Sequence, residues 1–231
     1  MTAKLRLPTV PANSGHSPAS PRLTMGLPIA WWRGGSRQWV IYKVDVLAPG
    51  GCETCAGCLC NHSLRRFAMN PADLQYLKRA IELSGKARNA GKHPFAATVI
   101  AADGSVLAEA GNNSLPPDGD PTQHAELLAA QIAARAAPPE VLAAATLYSS
   151  AEPCAMCAGA IYWCGIGRVV YALSEERLLH LTGDHPDNPT FSLPCREVFG
   201  RGQRKVAVVG PALEEEAAVA HLGFWQRDGA A

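Results

Sequence analysis

Two cysteines, a histidine and a nearby glutamate are the residues of this chain best suited to chemistry. Cys154 and Cys157 have the spacing Cys-x-x-Cys at the start of a predicted helix, so both thiols lie on one face of its first turn. The helix dipole favours anions there, and two thiolates supply half of a tetrahedral metal site. His124, in the sequence His124-Ala-Glu126, supplies a third ligand of a type that zinc prefers. We therefore expect one zinc ion per chain.

The expected ligand set leaves one coordination position open, which is typical of catalytic rather than structural zinc. Cys164 lies ten residues beyond Cys154, about 15 Å along the same helix, and is too distant to close the site. Glu126 lies on nearly the opposite side of a helix from His124, so we do not expect it to bind the metal. At the start of that helix it can instead transfer a proton between activated water and a leaving group. This combination suits hydrolytic removal of an amine from an amidine-like ring carbon.

The elements that position these residues follow from hydrophobic periodicity and turn residues. Asn70 is a good N-cap, Pro71 suits the first helical position, and Asp103-Gly104 is typical of a hairpin turn. Helices are expected at 71–89, 124–136, 154–164, 174–181 and 211–225, and strands at 95–101, 105–110, 143–150, 168–172 and 205–209. Because helices alternate with strands, the expected class is α/β, with a mixed sheet and helices on both faces.

The chain of 231 residues changes character at Met69. Residues 1–68 are rich in Pro, Gly and Ser and hold eight Lys and Arg against two Asp and Glu, whereas residues 69–231 hold 13 against 18. We expect residues 1–68 to be a poorly ordered basic leader, or a stretch translated upstream of the natural start, that the fold and catalysis do not need. Residues 69–231 are then the enzyme domain. A targeting leader is a rival interpretation, which the tryptophans and clustered cysteines of the segment fit poorly.

Two features inside residues 1–68 have local interpretations of their own. The apolar segments 29–32 and 39–42 are compatible with a hairpin. Four cysteines at positions 52, 55, 58 and 60, with His62, suggest a zinc knuckle, but they are closer together than the ligand pairs of the usual finger. Without a recognisable secretory signal or a membrane-spanning apolar run, we expect a cytoplasmic protein with reduced cysteines and no membrane partner.

The two motifs together resemble the cytidine/deoxycytidylate-type deaminase superfamily. His-x-Glu followed by Pro-Cys-x-x-Cys is the signature of zinc-dependent nucleobase deaminases, and this chain has His124-Ala-Glu126 and Pro153-Cys-Ala-Met-Cys157. The flanking residues look most like the branch of guanine deaminases and tRNA adenosine deaminases, and the resemblance runs from about Met69 to the end. It implies a three-layer α/β/α fold with a five-stranded sheet. It also assigns His124, Cys154 and Cys157 to zinc and Glu126 to proton transfer.

The resemblance further implies that Asn113, eleven residues before His124, hydrogen-bonds the base; the alternative is an ordinary turn residue. Phe95 and Trp163 are candidate walls of the substrate pocket, with packing in the core as the alternative for each. Relatives form homodimers with pockets near the interface. The large apolar residues Phe224 and Trp225 near the chain end therefore lead us to expect a homodimer, with both buried in the fold or against the partner.

Three functions stay open at this point. The first is deamination of a free purine base such as guanine, or of a nucleoside; the second is deamination of adenosine in a tRNA anticodon loop; the third is a catalytically silent zinc scaffold. The acidic balance of residues 69–231 argues against RNA, whose phosphates need clustered Lys and Arg, without excluding it. Intact Glu126 argues against the scaffold. Asp184 or Asp187, in the loop 182–194, is a candidate for the acidic residue that reads the purine in guanine deaminases.

Overall fold

The computed structural model describes residues 68–183 and 185–226, together with the backbone of four short strands earlier in the chain. These strands are β1 (Leu23–Met25), β2 (Ile29–Ala30), β3 (Trp39–Val40) and β4 (Val44–Val46). β1 pairs antiparallel with β4, and β2 with β3, in agreement with the expected hairpin. The expected zinc knuckle and the poorly ordered character of the leader lie outside the described residues. Met1–Gly57 and Cys58–Ala231 form separate units, and a domain boundary at Met69 remains our proposal.

Helices and strands alternate after Asn70, as the sequence predicts. In chain order they are α1 (Pro71–Asn89), β5 (Ala96–Ile100), β6 (Val106–Gly111), α2 (Ala125–Ala136), α3 (Pro139–Ala144), β7 (Thr146–Ala151), α4 (Ala155–Cys164), β8 (Arg168–Leu173), α5 (Glu175–Thr182), α6 (Cys195–Gly200), β9 (Ala207–Val209) and α7 (Glu214–Ala218). Among the described residues, no helix is long and apolar enough to cross a bilayer.

The five strands β5 to β9 form one mixed sheet in the order β6-β5-β7-β8-β9. β5 is antiparallel to β6 and β7, whereas β7, β8 and β9 run parallel. Because successive side chains of a strand point to opposite faces, Leu147 and Val169 pack in one core and Tyr148 and Val170 in the other. The first core includes residues of α2 and α4, and the second includes residues of α1 and α7. The three-layer α/β/α prediction is therefore confirmed.

A buried ion pair joins α1 to the sheet. Asp73 forms a capping box with Asn70, in which the Asn70 side chain accepts from the Asp73 N–H at 3.0 Å and the Asp73 carboxylate accepts from the Asn70 N–H at 2.7 Å. The same carboxylate accepts two hydrogen bonds from Arg168, at 2.7 and 2.8 Å, and one from the Tyr148 hydroxyl at 2.8 Å. Burial alone would raise the pKa of Asp73, but these hydrogen bonds outweigh it and hold the pKa below its ordinary value.

Three helices differ from the prediction. The sequence does not predict the short helix α3, in which Pro139 occupies the first position, where its missing N–H costs nothing. The helix α6 has too few residues for a recognisable period and was not predicted. The last helix begins at Glu214 rather than Pro211, because Leu213 has a left-handed backbone with a φ of 59°, which a right-handed helix does not contain. The preceding Ala212 N–H donates to Ala172 O of β8 at 3.1 Å. It also ends at Ala218, and turns occupy residues 219–226.

Candidate active site

The predicted metal ligands and Glu126 lie at the starts of two helices that pack on the same face of the sheet. His124 is the N-cap residue of α2 and Cys154 that of α4, and neither side chain forms a capping hydrogen bond. Glu126 and Cys157 lie in the first turns of these helices, and both are buried. Strand β7 ends at Ala151, with one residue between it and the Pro153-Cys154 pair, so the parallel part of the sheet directs the cysteine motif toward α2.

The three candidate ligands converge in a way that fits zinc. The ligand atoms of His124, Cys154 and Cys157 lie within 4.8 Å of one another. The distance from Cys154 Sγ to His124 Nδ1 is 3.6 Å. Hydrogen bonding from Cys157 lowers the pKa of the Cys154 thiol to about 4. Tetrahedral zinc bonds place such ligand atoms roughly 3.5–4 Å apart, so only a small closing movement is needed. The donor set, one imidazole and two sulfurs, suits zinc better than a hard cation.

Glu126 lies beside the three ligands and is not one of them. Its side chain is largely buried, its Oε1 accepts from the Ser149 hydroxyl at 2.8 Å, and its Oε2 accepts from the Cys157 thiol at 3.5 Å. Burial raises the pKa of the Glu126 carboxyl, and the nearby charge of Cys154 acts in the same direction. A carboxylate held in one orientation with a raised pKa is suited to accepting and returning a proton.

A cavity of about 230 Å³ opens beside these four residues. Its other walls come from strand ends, from α5 and from the loop before α6. The lining consists of Phe95, Asn112, His124, Glu126, Ala151, Glu152, Cys154, Met156, Glu175, Leu178, Asn188, Pro189, Thr190 and Phe191. Residues 188–191 of the loop before α6 therefore form part of the wall. Among these lining residues there is no Lys or Arg, whereas three carry carboxyl groups.

The structure brings one of the three expected substrate-binding side chains to this cavity. Phe95 lines it, whereas Asn113 does not, because its amide donates to Asp118 O at 3.1 Å and to Gln123 Oε1 at 2.5 Å. Asn112 lines the cavity instead; adjacent residues of an extended chain face opposite ways, and spacing from His124 alone could not choose between them. Trp163 is 82% exposed and lies outside the lining, because it projects from α4 roughly opposite the buried Ile161.

Two carboxylates of the cavity were not singled out from the sequence. Glu152 is 9% exposed, and its carboxylate accepts from the Cys195 N–H at 3.0 Å and from the Glu175 N–H at 3.3 Å. The Glu175 carboxylate accepts no hydrogen bond from the described residues, and burial, together with the negative charge of Cys154, raises the pKa of this group to about 7. The position of Glu152 directly before Pro153 was an available signal, whereas Glu175 looked like an ordinary first-turn acid.

One of the two aspartates proposed to contact the base lies among the described residues. Asp187 is exposed and lies outside the lining of the cavity. Asp184 falls outside the described residues.

An aromatic cluster supports the Phe95 side of the cavity. The Phe95 ring lies 5.1 Å from that of His221 and 6.1 Å from that of Trp225, and Trp225 Nε1 donates to His221 Nδ1 at 3.2 Å. Trp225 is 6% exposed within its own chain, and Phe224 is half-buried. Burial of Trp225 thus needs no second subunit.

Comparison with known proteins adds independent evidence. Residues 71–173 match the cytidine and deoxycytidylate deaminase zinc-binding region. A probable cytosine deaminase of Schizosaccharomyces pombe is 41% identical over 157 residues, covering 68% of this chain and 94% of that protein. A guanine deaminase of Bacillus subtilis is 45% identical over 98 residues, covering 42% and 62%. A tRNA-specific adenosine deaminase of Haemophilus influenzae is 32% identical over 150 residues, covering 62% and 86%.

The fold of a solved enzyme also matches. The structure of guanine deaminase from Nitrosomonas europaea superposes with a TM-score of 0.54 at 23% identity, covering 69% of this chain and 95% of that one. At this identity the match concerns the fold, and the same arrangement of mixed sheet and flanking helices accounts for it.

Proposed function

Because this chain belongs to the cytidine and deoxycytidylate deaminase family, whose members are hydrolases of C–N bonds in cyclic amidines, we propose that it deaminates a free nucleobase or nucleoside. Guanine is our first candidate substrate. The observation that supports a base is the cavity beside Glu126, which is small and has an aromatic wall, and whose lining includes three carboxyl groups and no Lys or Arg.

The roles that we propose follow from the geometry. His124, Cys154 and Cys157 hold zinc, which when bound supplies activation of a water molecule. Glu126 removes a proton from that water, and the water oxygen bonds to the ring carbon. Glu126 then delivers the proton to the amine, so that the C–N bond breaks and ammonia leaves. Ser149, through its 2.8 Å hydrogen bond, holds the Glu126 carboxylate in place for this transfer.

The charge of the cavity argues for a base over an RNA. A tRNA substrate brings phosphates on both sides of the reacting nucleotide, and these need Lys and Arg close to the pocket. The described lining offers Glu126, Glu152 and Glu175 instead. The cavity, at about 230 Å³, is also smaller than sites for drug-sized ligands, which suits a single ring system.

Cytosine is our second candidate substrate, and one observation favours it. The probable cytosine deaminase of Schizosaccharomyces pombe is 41% identical and is matched over 94% of its length. Both bases are flat rings with an exocyclic amine. In guanine the amine-bearing carbon lies between two ring nitrogens, and in cytosine it is bonded to one. The proposed proton transfer by Glu126 therefore applies to both.

We assign the base contacts to three lining residues. The Phe95 ring is placed to contact a flat face, and Asn112 replaces Asn113 as the amide near the polar edge. The Glu175 carboxyl group lines the cavity and accepts no hydrogen bond from the described residues, so it is available to hydrogen-bond a ring N–H or carbonyl of the base. Trp163 has no part in this proposal.

A substrate screen tests the proposal. Ammonia release is measured with guanine, cytosine, adenine, their nucleosides and a tRNA anticodon stem-loop, and we expect turnover of guanine or cytosine at least about tenfold above the nucleosides and no inosine in the RNA. Glu126→Gln protein purified in parallel is the control for contaminating deaminases. Editing of the stem-loop without turnover of a base would overturn the proposal in favour of the tRNA function. Absence of any turnover would favour the silent scaffold.

We also propose that the protein is a homodimer, on different grounds from those given by the sequence. Met156 and Trp163 lie seven residues apart on α4, where they share a face, and they are 38% and 82% exposed. Exposed large apolar side chains on one face favour contact with a partner. Light scattering at micromolar concentration is expected to give twice the monomer mass of 24.4 kDa, and a monomer would contradict the proposal.

A further inference from the structure

One buried side chain, Glu152, connects the starts of two helices. Its Oε1 accepts from the N–H of Cys195, the first residue of α6, at 3.0 Å. Its Oε2 accepts from the N–H of Glu175, the first residue of α5, at 3.3 Å. The backbone of Glu152 is fixed as well, since its N–H donates to Leu173 O at 2.7 Å. Both N–H groups belong to helix starts, where the chain itself offers them no partner.

Glu152 lies next to the metal motif and contacts the two segments that face it across the cavity. It precedes Pro153 and the metal-ligand candidate Cys154, and it lines the cavity itself. α5 contributes Glu175 and Leu178 to the cavity. α6 follows directly after the loop whose residues 188–191 line the same cavity. One carboxylate therefore ties the metal motif to both segments that form the wall facing it.

We propose that Glu152 is a positioning residue, which sets the distance between the metal motif and the substrate wall formed by α5 and the 188–191 loop. The inference rests on the proposed function, because it concerns how the base is held in that cavity. Its contribution is to substrate binding rather than to proton transfer, since Glu126 is already placed for the latter.

The proposal depends on a carboxylate and not merely on a polar side chain. Glu152 uses one oxygen for each of two N–H donors, and a carboxylate accepts at both. In the Glu152→Gln protein one oxygen becomes an NH₂ group, which cannot accept, so one of the two helix starts is released. Loss of a hydrogen bond to a charged acceptor costs on the order of 10- to 100-fold in an equilibrium constant, which sets the scale for a wall that is no longer held.

Glu214 provides a matched control. Its Oε1 accepts from the Ser174 N–H at 3.0 Å and from the Ser174 hydroxyl at 2.6 Å, so it also fixes the start of α5. It is half-buried, and it does not line the base cavity. The Glu214→Gln protein keeps one acceptor oxygen for Ser174 but loses the negative charge, so it should weaken the same helix start without altering the contact to the metal motif.

The experiment compares zinc-loaded wild-type, Glu152→Gln, Glu152→Asp and Glu214→Gln proteins. We expect Glu152→Gln to raise KM for guanine or cytosine about 10- to 100-fold, with a smaller change in kcat and an unchanged zinc content. Glu152→Asp keeps both acceptor oxygens on a shorter stem, so its KM should be intermediate; it also provides the measurement if Glu152→Gln does not fold. Glu214→Gln should leave KM within about twofold of wild type.

Amide hydrogen exchange gives a second measurement that needs no turnover. The backbone amides of Glu175 and Cys195 should exchange faster in Glu152→Gln, together with those of Asn188, Thr190 and Phe191 in the loop, whereas Glu214→Gln should affect the Ser174 amide. An unchanged KM in Glu152→Gln with an active wild type, or equal changes in KM for Glu152→Gln and Glu214→Gln, overturns this inference alone. A wild type that deaminates no base or nucleoside overturns the proposed function, and this inference with it.

Discussion

The Glu126→Gln protein is expected to keep its zinc and to lose about 10²- to 10⁴-fold of kcat on its best substrate. The amide has nearly the shape of the carboxylate and can still accept from the Ser149 hydroxyl, which lies 2.8 Å from Glu126 Oε1. It cannot take a proton from water or return one to the leaving amine. Because Glu126 lies outside the cluster of His124, Cys154 and Cys157, its replacement removes no metal ligand. The measurements are metal content by atomic absorption and kcat under saturating substrate.

Two variants bracket this result. Glu176 lies in the first turn of α5, as Glu126 does in α2, but it is exposed and lies outside the base cavity, so Glu176→Gln should keep the wild-type rate. Cys157→Ser removes a candidate ligand, and that protein should lose zinc and activity together. Loss of zinc from Glu126→Gln, or retention of most of its rate, would contradict the role that we give to Glu126.

The chemistry-bearing residues could be predicted from the sequence because they lie in short, fixed spacings. Cys-x-x-Cys at a helix start and His-x-Glu before an apolar helix each determine their own local geometry, and strand β7 brings them together. The sheet was predictable for a similar reason, since its strands are apolar runs between turn residues. The three-layer arrangement then follows from the alternation of helices with strands.

The walls of the cavity depend on contacts between distant residues, and the sequence does not specify these. Asn112 and Asn113 differ only in which side of an extended chain they face, and the end of β6 decides it: the Asn112 N–H donates to Phe95 O at 2.9 Å. Glu175 faces the cavity because α5 starts against Glu152, 23 residues earlier in the chain. The last helix is shorter than predicted for the same reason, since the Ala212 N–H pairs with Ala172 O of β8 and Leu213 takes a left-handed conformation before the helix begins.

The second large effect that we expect is on stability: Asp73→Asn should lower the free energy of unfolding by about 3–5 kcal/mol. Asp73 is fully buried, and Arg168 is 6% exposed. The substitution removes the negative charge that balances Arg168 and leaves one acceptor oxygen where the carboxylate had two. It also weakens the capping box of α1 with Asn70 and the hydrogen bond from Tyr148. Urea unfolding of the zinc-loaded proteins, followed by circular dichroism, measures the difference.

An exposed ion pair between α1 and β6 is the control. Arg79 and Glu109 approach to 2.9 Å with 40% and 31% of their side chains exposed. Because exposed ion pairs contribute little, Glu109→Gln should cost much less than Asp73→Asn. Equal losses of unfolding free energy from the two substitutions would contradict this prediction. They would show that the buried Asp73 carboxylate, with its four hydrogen bonds, stabilises the fold no more than an exposed ion pair does.

The Asp73 effect should also depend on pH in a defined direction. The folded protein holds the pKa of Asp73 below its ordinary value of 3.8, because the hydrogen bonds from Arg168 and its neighbours outweigh the cost of burial. The carboxylate therefore stabilises the fold fully above pH 3.8, and this stabilisation is lost as the pH falls through the folded pKa. The difference between wild type and Asp73→Asn should be constant near neutral pH and shrink in acid below that value. A difference that grew as the pH fell would mean that Asp73 is protonated in the native state, and that Arg168 is neutralised by another group.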